Sequence, residues 1–262
     1  MTGGNTKKAD LAFFRNLVQR QIRQDYLENI TGFAWLVLQP LILLAVYAFV
    51  FTTIFKSRIP DSEVGFVAYL AVAFWPWTAF SESILKATHS ITGNAALIGK
   101  VAFATEQLPL AMVCATFLMN MIGYVAVLLV LQLIGTDIHW LYLPLAIPVL
   151  VLLCLLACSI ALFTSAIQVF VKDTGQILPP LMTLWFFMTP ILYSPAQLPA
   201  GLANVMAWNP MNWFVFQLRE LLLFGRINAG LTEVLTLLGV VALAALFLAF
   251  FRRFSGHFED FF

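Results

Sequence analysis

Charge is what this chain has least of. Only 10% of its 262 residues are Asp, Glu, Lys or Arg, where an ordinary soluble domain carries about 25%. The shortage is concentrated in runs, from Glu28 to Lys56, Glu63 to Glu82, Glu106 to Asp137, Asp137 to Lys172, Asp173 to Arg219 and Glu233 to Arg252. About 20 apolar residues cross the roughly 30 Å hydrocarbon core of a bilayer as a helix. A charge at its centre costs about 2.5–3.5 kcal/mol on insertion scales. With 61% hydrophobic residues and a mean hydropathy of +0.91, a soluble globule is excluded. Lipid is the solvent.

Other absences narrow the function. The 3 cysteines, Cys114, Cys154 and Cys158, all lie in apolar runs. Cys154 and Cys158 share a helical face and read as small packing residues. His89, His139 and His257 are scattered, so no metal site is expected. No basic run is long enough for a nucleic-acid arm, and the net charge is only +1. No carboxylate sits at mid-depth in the third to sixth runs, which argues against a proton-coupled carrier. Asp61, Glu63, Asp137 and His139 are too dispersed for a membrane-embedded glycosyl- or acyltransferase site. A nucleotide site is missing too: Gly93 and Gly99-Lys100 are one residue too far apart for a P-loop, and Val101 replaces the magnesium-binding hydroxyl. After the polar segment Met1–Asp10 no short apolar core with a cleavage site follows, so the first span is expected to act as the targeting signal.

What remains is an all-α polytopic membrane protein of one domain, 1–262. Six spans are expected, at 33–55, 64–86, 107–134, 141–171, 177–193 and 231–251. Before them, Leu11, Phe14, Val18, Ile22 and Tyr26 recur at helical spacing opposite Arg15, Gln19, Arg20 and Arg23. This predicts an amphipathic interface helix over 10–30, lying at anionic headgroups or docked on protein. The fifth uncharged run is too long for one span and holds Pro179, Pro180, Pro190, Pro195, Pro199 and Pro210. Proline breaks helices, so a broken, partly re-entrant pair of gate helices is expected in the outer region 196–226. Ten of the 14 Lys and Arg fall in the two terminal segments and in the loops holding Lys86, Lys100 and Lys172. Lys56, Arg58, Arg219 and Arg226 fall on the other side. The positive-inside rule then makes both termini cytoplasmic.

The stretch Asn94-Ala-Ala-Leu-Ile-Gly-Lys100-Val101-Ala-Phe103-Ala-Thr-Glu106-Gln-Leu-Pro109 joins the second and third spans. Together with Phe74-Trp-Pro-Trp-Thr-Ala-Phe80, Lys172-Asp173, Phe186-Phe-Met-Thr-Pro190-Ile-Leu-Tyr193, Asn209-Pro210 and Arg219-Glu220, in that order and spacing, it resembles the permease subunits of type-2 ABC exporters. The likeness is closest to those exporting O-antigen and related polysaccharides. Ala104 stands where that family often has proline, and Lys172 where it usually has arginine.

The resemblance implies a transport subunit and no enzyme. ATP and magnesium would be bound by a separate ATPase, two copies joining a homodimer of this chain in the inner membrane. The loop 94–105 would be the coupling helix, with Asn94, Leu97, Ile98, Lys100, Val101, Phe103 and Glu106 facing the ATPase. An apolar cytoplasmic helix of this kind needs a cover. Gate or structural roles would fall to Pro190, Asn209, Pro210, Arg219, Lys172 and Asp173. Tyr47, Phe51 and Phe55 recur every four residues on one face of the first span, and Trp185, Phe186 and Tyr193 lie along the fifth. As a group these aromatics are read as a track for a sliding, lipid-linked polysaccharide, although membrane aromatics also serve packing and anchoring. Alternative cargoes are capsule polysaccharide, teichoic acid or a small hydrophobic drug.

Overall fold

With no water in the bilayer core, backbone N–H and C=O groups must be satisfied inside the chain, and helices do this segment by segment. The computed structural model describes residues 3–27, 32–54, 65–98, 103–194, 201, 206, 208–228 and 230–261, among which there is no strand. Eight α-helices run in order: α1 Gly3–Ile22, α2 Gly32–Phe49, α3 Phe66–Thr88, α4 Gln107–Leu133, α5 Leu143–Phe170, α6 Thr174–Met188, α7 Pro210–Leu222 and α8 Leu231–Ser255. Single π-helical turns extend α1 (Arg23–Leu27) and α2 (Val50–Ile54).

Among the described residues, three helical stretches are long and apolar enough to cross a bilayer: Gln107–Leu133, Trp140–Phe170 and Leu231–Ser255. α3, with 23 residues, is long enough but less apolar, because Trp75, Pro76, Trp77, Ser81, Glu82 and Ser83 dilute it. Its position explains the tolerance. α3 is the hub, packed by α2, α4, α5, α6 and α7, and Leu70, Ala71, Val72, Ala79, Phe80, Ile84 and Ala87 are fully buried. Protein, not lipid, is its environment. α8 is the opposite case, with Leu235, Leu238, Val241 and Leu246 all exposed.

Small side chains and few polar bonds hold the hub. Ala73 and Ala87 of α3 meet Ala157 and Ala161 of α5 in one apolar cluster, the close approach that drives helix association where burial from water is no longer a force. Tyr124 of α4 donates its hydroxyl to the Val72 carbonyl at 3.0 Å, and Thr88 donates to Thr164 of α5 at 2.9 Å. α5 and α8 are joined by stacked Phe163 and Phe247, centroids 4.6 Å apart.

Three boundaries move from their sequence expectations. The amphipathic helix begins at Gly3, and its covered face holds Phe13, Phe14, Leu17 and Val18, while Leu11 is exposed. That face packs on α4, so α1 docks on protein. The fifth span was expected over 177–193, but α6 runs Thr174–Met188 because Thr189, which precedes Pro190, is extended (φ −102°, ψ 134°). A residue before proline is driven out of the helical region. Within the region 196–226, where gate helices were expected, α7 is a helix over Pro210–Leu222; 195–200, 202–205 and 207 lie outside the described residues.

Candidate functional site

The loop after α3 is built from its end. His89 and Ser90 continue the turn by donating to the Lys86 and Ala87 carbonyls, and a 3-10 helix, Thr92–Leu97, follows. Asn94 kinks it (φ −116°, ψ 24°) and donates its side chain to the Ser90 carbonyl at 2.9 Å. Lys100 and Val101 lie outside the described residues. Ile98 and Phe103 are half-buried against a cluster of Ile91, Leu108, Leu162, Val169, Phe251 and Phe258, to which Leu17 of α1 also packs. The Phe103 ring lies 5.2 Å from Phe13 of α1. Glu106 precedes α4 and accepts both Arg252 Nε (3.0 Å) and a terminal guanidinium nitrogen (2.9 Å) from α8. Part of the cover that this apolar loop needs therefore comes from the chain's own α1 and C-terminal end.

The aromatic residues gather on α3. Tyr47 is 4.9 Å from Phe74 and 6.3 Å from Phe51, which in turn is 4.9 Å from Phe66. From α6, Trp185 meets Trp77 (5.9 Å) and Phe80 (5.4 Å), and Phe186 meets Phe74 (5.9 Å) and Trp77 (5.8 Å). Edge-on geometry dominates, as ring quadrupoles favour. Tyr193 donates its hydroxyl to the Phe187 carbonyl at 3.0 Å. Phe55 lies outside the described residues.

Between α3 and α6 a cavity of about 270 Å³ remains, lined by Phe74, Trp77 and Phe186 together with Thr78, Ser81 and Thr183, and, among the described residues, by no ionisable side chain. The three hydroxyls are bonded as donors to the carbonyls of Phe74, Thr78 and Pro179, one turn back in each case. Their lone pairs stay free to accept. Aromatic faces and hydroxyl acceptors side by side suit a hydroxyl-rich, uncharged group. The ring motif on α3 was visible in the sequence; its hydroxyls were not singled out, because serine and threonine are unremarkable in a span until neighbours line up.

The C-terminal end of α6 is pinned by two side chains. Asn209 begins α7 by accepting the Met211 N–H (3.0 Å), with Pro210 at the first helical position. It also accepts Trp185 Nε1 (2.8 Å) and donates to the Met188 carbonyl (3.2 Å) and Thr189 hydroxyl (2.9 Å). Arg219 is 4% exposed. It donates to the carbonyls of Tyr69 (3.1 Å), Pro190 (2.7 Å) and Ile191 (2.9 Å), and its guanidinium carbon stands 3.4 Å from the centre of the Tyr69 ring. A cation is costly to bury unless its donors are satisfied; here three carbonyls and a ring face do so. Glu220, its neighbour in sequence, turns away and accepts Asn228 at 3.1 Å.

At the turn between α5 and α6, Lys172 and Asp173 are exposed. The residue that ties this turn is buried Gln168, which donates to the Lys172 carbonyl (3.1 Å) and accepts the Gly175 N–H (2.6 Å). Gly175 has a steric reason: a Cβ there would stand 2.3 Å from the His89 ring.

Residues 13–223 match the ABC-2 type transporter family. The chain belongs to that family. An O-antigen export system permease protein, RfbA, of Myxococcus xanthus is 32% identical over 199 residues, covering 75% of this chain and 74% of that protein. RfbA of Klebsiella pneumoniae is 23% identical over 247 residues, covering 93% and 92%. The polysialic acid transport protein KpsM of Escherichia coli is 26% identical over 239 residues, 88% of each. With its three apolar helices and permease relatives, this ABC-2 chain is a membrane protein. The ABC-2 match takes in the loop 94–105, the aromatic cavity and the Arg219 clamp, and ends at Leu223, before α8.

Proposed function

We propose that the chain is the membrane subunit of an ATP-driven exporter that moves lipid-linked polysaccharide of the O-antigen type across the cytoplasmic (inner) membrane. The observation that carries this reading is the cavity between α3 and α6, where rings and hydroxyl acceptors alternate without a charge. Pyranose rings present C–H faces and hydroxyls, and this lining meets both without fixing one register, as a sliding polymer requires. The relatives' names point to the same class of cargo. Similarity to KpsM supports capsule polysaccharide as the second reading.

In this proposal six helices span: α2 with its π-helical turn, α3, α4, α5, α6 and α8. At 1.5 Å per residue, α6 covers only about 22 Å, shorter than a full bilayer core. Both termini are cytoplasmic, since most Lys and Arg flank that side, and Arg219 is held inside the protein rather than at the outer surface. One chain supplies half a conduit, and two chains with two ATPase subunits close it. ATP and magnesium belong to the ATPase. Its closure pushes the loop 94–105, α1 and the C-terminal end as one cytoplasmic unit, because Phe103–Phe13 and Glu106–Arg252 tie them.

The test is complementation of a strain lacking its O-antigen permease, with the cognate ATPase present. Surface polymer should return with this chain and remain absent when the ATPase carries a Walker A Lys→Ala change. Polymer restored equally by the ATPase-dead pair would contradict the reading.

A further inference from the structure

Cys114 of α4 and Cys154 and Cys158 of α5 converge although 40 residues of chain separate the first from the second. All three sulfurs lie within 4.8 Å of one another. Cys154 and Cys158 are one helical turn apart, so they present two sulfurs to the single one of Cys114, a triangle fixed by two helices rather than by a loop. The triangle lies on the wall of a cavity of about 550 Å³ between α4 and α5. Among the described residues, the only oxygen- or nitrogen-bearing side chain in that wall is Tyr124, and its hydroxyl is already donated to the Val72 carbonyl. This cavity shares no lining residue with the α3–α6 cavity, so it stands apart from the export reading.

We propose that Cys114, Cys154 and Cys158 form a three-coordinate site for a soft monovalent metal ion, Cu(I). Thiolate sulfur selects soft ions such as Cu(I) and zinc. The surroundings decide between them. Zinc almost always takes four ligands, whereas the cluster brings together three, and among the described residues the cavity wall adds only the soft thioether of Met121 and the already engaged hydroxyl of Tyr124. A d10 monovalent ion is satisfied by three sulfurs in a plane. Metal–sulfur bonds of about 2.3 Å put such sulfurs about 4 Å apart, so the triangle needs to close by less than about 1 Å. Charge points the same way. Uncompensated charge at membrane depth is expensive. Cu(I) with one thiolate and two neutral thiols is electrically neutral, and one proton leaves per ion bound. A zinc ion would need two thiolates for the same balance.

The test uses the full-length chain in lipid nanodiscs, under anaerobic conditions, titrated with Cu(I) against a competing Cu(I) chelator. One ion per chain is expected, with X-ray absorption showing three sulfurs and no nitrogen or oxygen. Cys114→Ser, Cys154→Ser and Cys158→Ser should each weaken binding by more than about 100-fold, the upper end of what loss of an outer-shell partner alone costs. Equimolar zinc should displace none of the copper. A second measurement needs no variant: in the wild-type chain, Cu(I) should shield all three thiols from a membrane-permeant maleimide. Copper retention no higher than in the triple serine variant, alkylation at equal rates with and without Cu(I), or a shell containing nitrogen or oxygen would overturn the site.

Discussion

Arg219 carries the most local information in the molecule. Its three donors go to one carbonyl at the start of α3 and two just beyond the end of α6, so a single fork sets the distance between the hub and the outer break. Hydrogen bonds to charged groups contribute about 1.5–3 kcal/mol each, and truncation also removes this donor from the buried Pro190 and Ile191 carbonyls, which lie beyond the end of α6. Arg219→Ala should therefore lower the melting temperature of the detergent-solubilised chain and reduce the amount that survives extraction. Arg219→Lys should recover only part of it, because an ammonium cannot reach three carbonyls in the plane of a guanidinium. Melting of the alanine variant at the wild-type temperature would show that the fork adds nothing. In sequence, Arg219 was counted among outer-side charges; nothing in the letters reveals that it points inward to backbone carbonyls, because carbonyls belong to every residue.

At the scale of elements, the loop 94–105 is the informative piece. Its apolar letters suggested a helix waiting for a partner, whereas Ile98 and Phe103 already rest on α1, α5 and the C-terminal end. Replacing Val101 and Phe103 with aspartate should leave membrane insertion intact but sharply reduce the ATPase that co-purifies with the chain. Wild-type recovery of the ATPase would remove the loop from the docking surface. The Arg252–Glu106 pair is a different matter: Arg252 is 63% exposed at its side chain, and exposed pairs contribute about 0.2–1 kcal/mol. Much of this level was legible beforehand. The long apolar helices α4, α5 and α8 follow from gaps in charge, because lipid-facing residues have no alternative composition. The proline-rich stretch announced the break after α6. The hub role of α3 was hidden, since a helix sheathed in protein is freed from the apolarity that makes a span readable. The cavity hydroxyls were hidden for a related reason: Thr78 and Thr183 are 105 residues apart and meet only through tertiary packing.

For the whole molecule, orientation comes first. Single cysteines at Thr2 or Phe262, in a background with the native thiols replaced, should react in intact cells only with membrane-permeant reagents. Cysteines at Ser57 or Asn228 should react with impermeant ones. Labelling of either terminus from outside would invert the arrangement and with it the direction of transport. Passage of a hydroxylated polymer along the ring-and-hydroxyl face of α3 and α6 is tested by the double variant Thr78→Val and Thr183→Val. Valine keeps the volume and removes only the two acceptor hydroxyls. The measurement is polymer exported per assembled transporter, with the ATPase content and basal ATP hydrolysis of the same complexes recorded beside it. With one to two net hydrogen bonds of about 1 kcal/mol at stake, export should fall about five- to thirtyfold while assembly and basal hydrolysis stay at wild-type levels. Export per complex equal to wild type would contradict the claim and place the polymer's path elsewhere.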